Sequence, residues 1–119
     1  MKHPPEILDS LQQRIQEPGE TFHAPHLLDL EVTQVLRRKL MRGETDLFAA
    51  RQALDNLVAF RLFRYPHAPN LGRIWELRNN LTAYDASYIA LSEALDAPLL
   101  TLDRKLATAS GHHARVEVF

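Results

Sequence analysis

Cysteine is absent from the chain, and glycine is scarce, with 4 residues in 119. Without cysteine there is no disulfide framework, no thiolate zinc site and no thiol nucleophile. The glycines form no phosphate-binding loop and no G-x-S-x-G sequence occurs, which excludes the P-loop, dinucleotide-binding and serine-hydrolase classes. No apolar run approaches the roughly 20 residues that span a bilayer, and the residues after Met1 show no secretory signal. We therefore expect a cytoplasmic protein.

The length and composition predict one compact domain over residues 1–119. A mass of 13.6 kDa is the size of a single hydrophobic core. Hydrophobic residues make up 45% of the chain and charged residues 24%, which is typical of a globular protein and far from the composition of disordered chains.

Arginine is concentrated in one stretch, although the net charge is only −1. From Arg37 to Arg78 there are nine basic residues against four acidic ones. Because the guanidinium fork matches phosphate oxygens, this stretch is compatible with a phosphate-binding surface. Solvated helix faces explain the same pattern equally well, so charge alone leaves both interpretations open.

Apolar periodicity and turn residues predict helices that alternate with short strands. The predicted helices are Glu6–Glu17, one from near Pro25 to Gly43, one that Thr45 caps and whose apolar positions extend to Val58, about Leu71–Leu81, one from Thr82 or Tyr84 to Leu95, and Arg104–Ala109. The predicted strands are Arg61–Tyr65, Pro98–Leu102 and Val116–Phe119. Strands separated by helices predict an α/β fold with a mainly parallel sheet and helices on both faces.

Glu31 is the first acidic residue that its own predicted helix does not explain. At about 100° per residue it falls within the apolar stripe of Leu27, Leu28 and Val35, whereas Asp29 points to the opposite side. A carboxylate on such a stripe needs a cation, a donor network or a metal. An ion pair with an arginine such as Arg37 or Arg73 is the structural alternative.

Asp85 and Asp103 each have a local explanation. Thr82-x-x-Asp85 fits a capping box, and Asp103 directly after a strand is a natural N-cap. Asp103 also lies at the carboxyl end of a predicted parallel strand, where open α/β sheets build ligand sites. If Glu31 and Asp85 converge on that edge, three carboxylates share a small volume, and an oxygen-only set suits Mg²⁺ or Mn²⁺.

Three segments together carry a family resemblance. HAPHLLDLEVTQVLRRKL, LTAYDASYIALSEAL and APLLTLDRKLA resemble, in order and spacing, the PIN-domain toxins of the VapC type. The resemblance runs from about Phe22 to Phe119. It implies a three-layer α/β/α fold and Mg²⁺- or Mn²⁺-dependent endoribonuclease cleavage of RNA, often transfer or ribosomal RNA. It also implies a VapB-like antitoxin partner and a homodimer.

The resemblance also implies the roles of individual residues. Carried over position by position, the metal-binding and catalytic carboxylates are Glu31, Asp85 and Asp103. Thr101, in the T-x-D pattern, would hold a water or a carboxylate by hydrogen bonding. The RNA backbone would be bound by arginines of the basic stretch, for which we name Arg37, Arg38, Arg73 and Arg78.

These 119 residues depart from the family pattern in one respect. PIN domains ordinarily begin with a central strand of the type I-V-x-D-A-S that supplies the first metal-binding aspartate, whereas here Met1 leads directly into a predicted helix. Asp9 lies on the polar side of that helix and does not replace it. The sequence is a shortened form of a longer product, or another chain supplies the strand, or the member is degenerate.

Three hypotheses remain open at this point. The leading one is a metal-dependent endoribonuclease of the VapC type. The second is a catalytically inactive PIN-like module that binds an antitoxin or dimerises. The third is a structural α/β domain in which two of the acids are helix caps and one forms an ion pair.

Overall fold

The computed structural model describes residues 13–14 and 19–119, so the predicted helix Glu6–Glu17 lies outside the described residues except for its helical positions 13 and 14. The chain divides into two compact units. The central unit is Phe22–Pro66, and the C-terminal unit is His67–Phe119 with the described residues before Phe22. The single domain over residues 1–119 stays a prediction. In the part that the structure describes, no helix is both long and apolar enough to cross a membrane.

The central unit is a β-α-α-β segment. Strand β1 (Phe22–Pro25) is followed by helices α1 (Leu27–Met41) and α2 (Leu47–Ala59) and by strand β2 (Leu62–Tyr65). The two strands are parallel, with Phe22 opposite Leu62 and Pro25 opposite Tyr65. The two helices contact each other and form the connection from β1 to β2. Parallel strands need such a long connection, because the chain must return to the same end of the sheet.

Two features of the central unit differ from the prediction. Strand β1 was not predicted, whereas α1 begins at Leu27, close to its predicted start near Pro25. The N-cap of α2 is Asp46 and not Thr45. Its Oδ1 accepts a 2.7 Å hydrogen bond from the backbone N–H of Ala49, so the carboxylate satisfies a first-turn donor.

The C-terminal unit joins one long helix to several short elements. Its elements are a 3₁₀ turn (Ala68–Asn70), α3 (Leu71–Glu76), α4 (Ala83–Leu95), β3 (Leu99–Thr101), α5 (Arg104–Thr108) and β4 (Val116–Val118). Strands β3 and β4 pair in parallel, with Leu99 opposite Val116. Helix α4 and both strands lie close to their predicted positions.

Helix α3 ends at Glu76, five residues before the predicted Leu81. The backbone N–H of Leu77 bonds both Arg73 O and Ile74 O, and that of Arg78 bonds Trp75 O at 3.1 Å. Such i to i−3 bonds tighten the last turn of a helix and stop it. Two asparagines follow, which favour turns over helix.

The core of the C-terminal unit forms where α4 packs on α3. Ile89 is fully buried and Leu77 is 1% exposed. Ile74, Ala86 and Ala90 complete the buried cluster. The tight packing of α4 fixes the backbone at its first turn, from which Asp85 projects.

A partly buried ion pair connects α3, α4 and the segment before β4. Arg73 donates from Nε to Glu93 Oε1 at 2.7 Å and from Nη2 to Glu93 Oε2 at 3.0 Å, and the Glu93 side chain is 5% exposed. Arg73 also bonds Glu76 and the carbonyl of Gly111. The hydrogen bonds from Arg73 lower the pKa of Glu93 to about 2, against the opposing effect of burial, and the backbone N–H of His113 assists them.

Each of the two sheets has two strands among the described residues. The predicted parallel direction is confirmed in both pairs. Within residues 13–14 and 19–119, β1 pairs only with β2, and β3 only with β4. One edge of each of the four strands therefore carries backbone donors and acceptors that no described strand pairs.

Candidate functional site

The turn after β3 positions Asp103. The backbone N–H of Asp103 donates a 3.0 Å hydrogen bond to the hydroxyl oxygen of Thr101, and Asp103 Oδ1 accepts a 2.9 Å bond from the backbone N–H of Lys105. Asp103 is thus the N-cap of α5, as its local explanation predicts. Within the described part of the chain its second oxygen, Oδ2, makes no hydrogen bond, so one side of this exposed carboxylate is available to a ligand.

The first turn of α4 positions Asp85. Thr82 is the N-cap, and its hydroxyl oxygen accepts a 3.1 Å bond from the backbone N–H of Asp85. The cap uses the amide of Asp85 and leaves its half-buried carboxylate without a hydrogen bond or ion pair to any described residue. The cap therefore fixes the backbone of Asp85, and its carboxylate is available to a ligand.

Glu31 lies on α1 in the central unit, whereas Asp85 and Asp103 belong to the C-terminal unit. The side chain of Glu31 is half-buried, and no residue of α1 is fully buried. Among residues 13–14 and 19–119, no group of three or more histidine or acidic side chains is close enough to hold a metal ion. The three-carboxylate centre stays a prediction.

Asp29 has an ion-pair partner that the sequence did not predict. It accepts a 2.7 Å hydrogen bond on Oδ2 from Arg64 Nε of β2. Its other oxygen, Oδ1, is buried and has no partner in the described structure. The pair borders a cavity of about 350 Å³ in the central unit, lined by Asp29, Thr33, Leu54, Leu57, Val58 and Arg64. A single carboxylate already neutralised by arginine does not suit a divalent cation.

The four arginines named from the sequence have different environments. Arg37 and Arg38 are exposed on α1. Arg73 directs its guanidinium to Glu93, Glu76 and the carbonyl of Gly111, which leaves it little capacity for phosphate. The guanidinium of Arg78 lies over the ring of Trp75, 4.6 Å from its centroid.

Comparison with known proteins agrees with these features. The PIN-domain family model matches residues 5–111. Ribonuclease VapC1 of Mycobacterium tuberculosis is 52% identical over 90 residues, which are 75% of this chain and 68% of that protein. Ribonuclease VapC9 of the same organism is 42% identical over 101 residues, 85% of this chain and 80% of that protein. Ribonuclease VapC3 of Pyrobaculum aerophilum is 29% identical over 107 residues, 87% of this chain and 82% of that protein.

The chain belongs to the VapC-type PIN-domain family. The resemblance carried by the three sequence segments is therefore confirmed, and with it the PIN-like α/β fold class, to which the parallel strand pairs and intervening helices conform. In this VapC-type domain, Glu31, Asp85 and Asp103 all lie inside the matched range 5–111.

Two features of the VapC-type domain were missed at the level of sequence. The pairing of Asp29 with Arg64 joins residues 35 positions apart, and a helical wheel contains no information about β2. The second feature is the 68% exposure of Trp75, which helical spacing could have predicted. On a helix it lies about 100° from buried Ile74 and about 160° from buried Leu77, outside the core face.

Proposed function

We propose that this chain is an Mg²⁺- or Mn²⁺-dependent endoribonuclease toxin that hydrolyses RNA phosphodiester bonds in the cytoplasm and is inhibited by a VapB-like antitoxin. The observation that carries the proposal is the 52% identity to a protein named as a ribonuclease. We expect a homodimer, and we expect the substrate to be transfer or ribosomal RNA.

The donor chemistry of the C-terminal unit supports a metal role. Asp85 offers an unpartnered carboxylate and Asp103 offers Oδ2, and hard cations such as Mg²⁺ prefer such oxygens. Thr101 orients the turn that carries Asp103, and Glu31 would complete the set. A bound divalent ion would supply positive charge at the phosphate and would activate water for in-line attack.

RNA cleavage with matched amide variants tests the proposal. The wild-type protein, freed of any antitoxin, is incubated with transfer and ribosomal RNA in Mg²⁺, in Mn²⁺ and in EDTA. We expect cleavage with either metal and none in EDTA. Asp85→Asn and Asp103→Asn should each reduce the rate by at least about 100-fold, because each removes a charged ligand.

The asparagine variants are chosen so that a loss of cleavage does not result from misfolding. Asparagine at 103 still caps α5, and the cap of α4 uses the backbone at 85, so neither change removes a local hydrogen bond. Asp96→Asn is the matched control, because Asp96 is 96% exposed at the other end of α4 and its left-handed φ of 48° suits asparagine. Equal cleavage by Asp85→Asn and Asp96→Asn would refute the site.

A catalytically inactive module that binds an antitoxin or dimerises is the second candidate. The strand edges that no described strand pairs favour it, because such edges can receive an extended segment of a partner chain. This candidate predicts binding of a VapB-like peptide without metal-dependent turnover at any protein concentration. Metal-dependent cleavage that co-purifies with the wild-type chain and is lost in Asp85→Asn would exclude it.

A further inference from the structure

Trp75 is the only tryptophan of the chain, and 68% of it is exposed. It lies on α3 between two core residues, Ile74 at 8% and Leu77 at 1% exposure. Tryptophan has a large apolar surface and is usually mostly buried. The ring is therefore excluded from the core, and the fold itself gives it no role.

Arg78 fixes the orientation of this ring. Its guanidinium lies 4.6 Å from the ring centroid, and its Nη1 donates a 3.0 Å hydrogen bond to the backbone carbonyl of Trp75. Arg78 and Trp75 are three residues apart in one turn of the chain, and this hydrogen bond keeps the guanidinium next to the indole ring. Because the guanidinium covers one side of the indole, the large exposed fraction includes the other side.

The charge of Arg78 is not used within the described structure. Arg73, on the same helix, is paired with Glu93 and Glu76, whereas Arg78 forms no ion pair with any described carboxylate. An exposed aromatic face next to an uncompensated guanidinium provides two contacts that single-stranded nucleic acid requires. Bases stack on the ring, and the cation attracts the adjacent phosphate.

We infer that Trp75 and Arg78 form a base-stacking subsite for single-stranded RNA. The inference rests on the proposed function and adds to it a specific contact outside the carboxylate set. A second copy of the chain is the competing occupant, since Leu71 on the previous turn is 55% exposed. Burying an unpaired guanidinium in an apolar interface is costly, whereas a phosphodiester neutralises it, and this favours RNA.

Because Trp75 is the only tryptophan, its fluorescence reports the subsite directly. Wild-type protein in EDTA, and the Asp85→Asn variant in Mg²⁺, are titrated with a short single-stranded RNA of mixed sequence. We expect saturable quenching of the tryptophan emission in both. By fluorescence polarisation of labelled RNA, Trp75→Ala should weaken binding about 5- to 100-fold, and Trp75→Phe should restore part of the affinity. Arg78→Gln should weaken binding and reduce the salt dependence by about one ion.

Two variants control for the loss of apolar surface and of charge. Leu47→Ala removes a side chain that is 75% exposed in the central unit, and Arg51→Gln removes an arginine that is 77% exposed and paired with Asp55. Both should bind RNA like the wild type. Absence of quenching in both titrations, or unchanged RNA affinity in Trp75→Ala, would overturn the subsite. A change in sedimentation of Trp75→Ala at unchanged RNA affinity would overturn it in favour of a contact between copies.

The two proposals fail in distinguishable ways. Quenching by RNA without metal-dependent cleavage would retain the subsite and reject the nuclease. Cleavage that requires Asp85, without quenching of Trp75, would retain the nuclease and reject the subsite.

Discussion

The ion pair between Arg73 and Glu93 should make stability strongly dependent on acid pH. The folded-state pKa of Glu93 is about 2, against 4.5 for an ordinary glutamate, because Arg73 donates two hydrogen bonds to its carboxylate. Because the folded-state value lies below the unfolded one, the stabilisation is fully present above about pH 4.5 and is lost as the pH falls towards 2. The difference of about 2.5 pH units corresponds to at most about 3 kcal/mol of unfolding free energy.

Urea denaturation followed by far-ultraviolet circular dichroism, at several pH values from 7 to 3, measures this contribution. Glu93→Gln removes the titrating group. The difference in unfolding free energy between the wild type and Glu93→Gln should be largest at pH 7 and should fall by more than half by about pH 3. The side chain of Glu76 also bonds Arg73 but is 66% exposed, so Glu76→Gln should cost only about 0–1 kcal/mol. A wild-type advantage over Glu93→Gln that stays constant from pH 7 to pH 3 would refute the reasoning.

Two further predictions concern stability and use the same denaturation assay. Gly111→Ala should lower the free energy of unfolding by about 1–3 kcal/mol, because Gly111 has a φ of 89° and an added Cβ would collide with the side chain of Asn80. Gly72→Ala should raise the free energy of unfolding by about 0.4–1 kcal/mol, because an added Cβ at Gly72 has nothing within 4 Å. Equal effects at the two glycines would contradict this. Ile89→Ala should cost about 2–5 kcal/mol because Ile89 is fully buried, and Leu71→Ala, at a position 55% exposed, should cost much less.

Local signals explain how far the sequence predicted the fold. Helix α4 is capped by Thr82, one of its two predicted starts, and ends at Leu95 as predicted, because a cap residue and an apolar stripe act within one segment. Strand β1 was missed because its identity depends on pairing with β2, which lies about forty residues further along the chain. Helix α3 was predicted too long because the buried position of Leu77 continues the apolar period past the last helical residue.

The candidate site was predictable only as a set of chemical groups. Motif spacing identified Asp85 and Asp103, and the structure adds that Thr82 and Thr101 fix their backbones. The partner of Asp29 was not predicted because Arg64 lies on another element. Long-range pairing of this kind has no signature in the periodicity of a single helix.

The cap of α4 is the neutral hydroxyl of Thr82 rather than the carboxylate of Asp85, so the start of the helix does not depend on the side chain that we propose as a metal ligand. An amide at that position would leave the helix start intact. If the product is harmful to its host, mutants that survive its expression should accumulate substitutions at this codon and still yield intact polypeptide. Substitutions at buried Ile89 would instead remove the activity by unfolding the protein, which is then degraded.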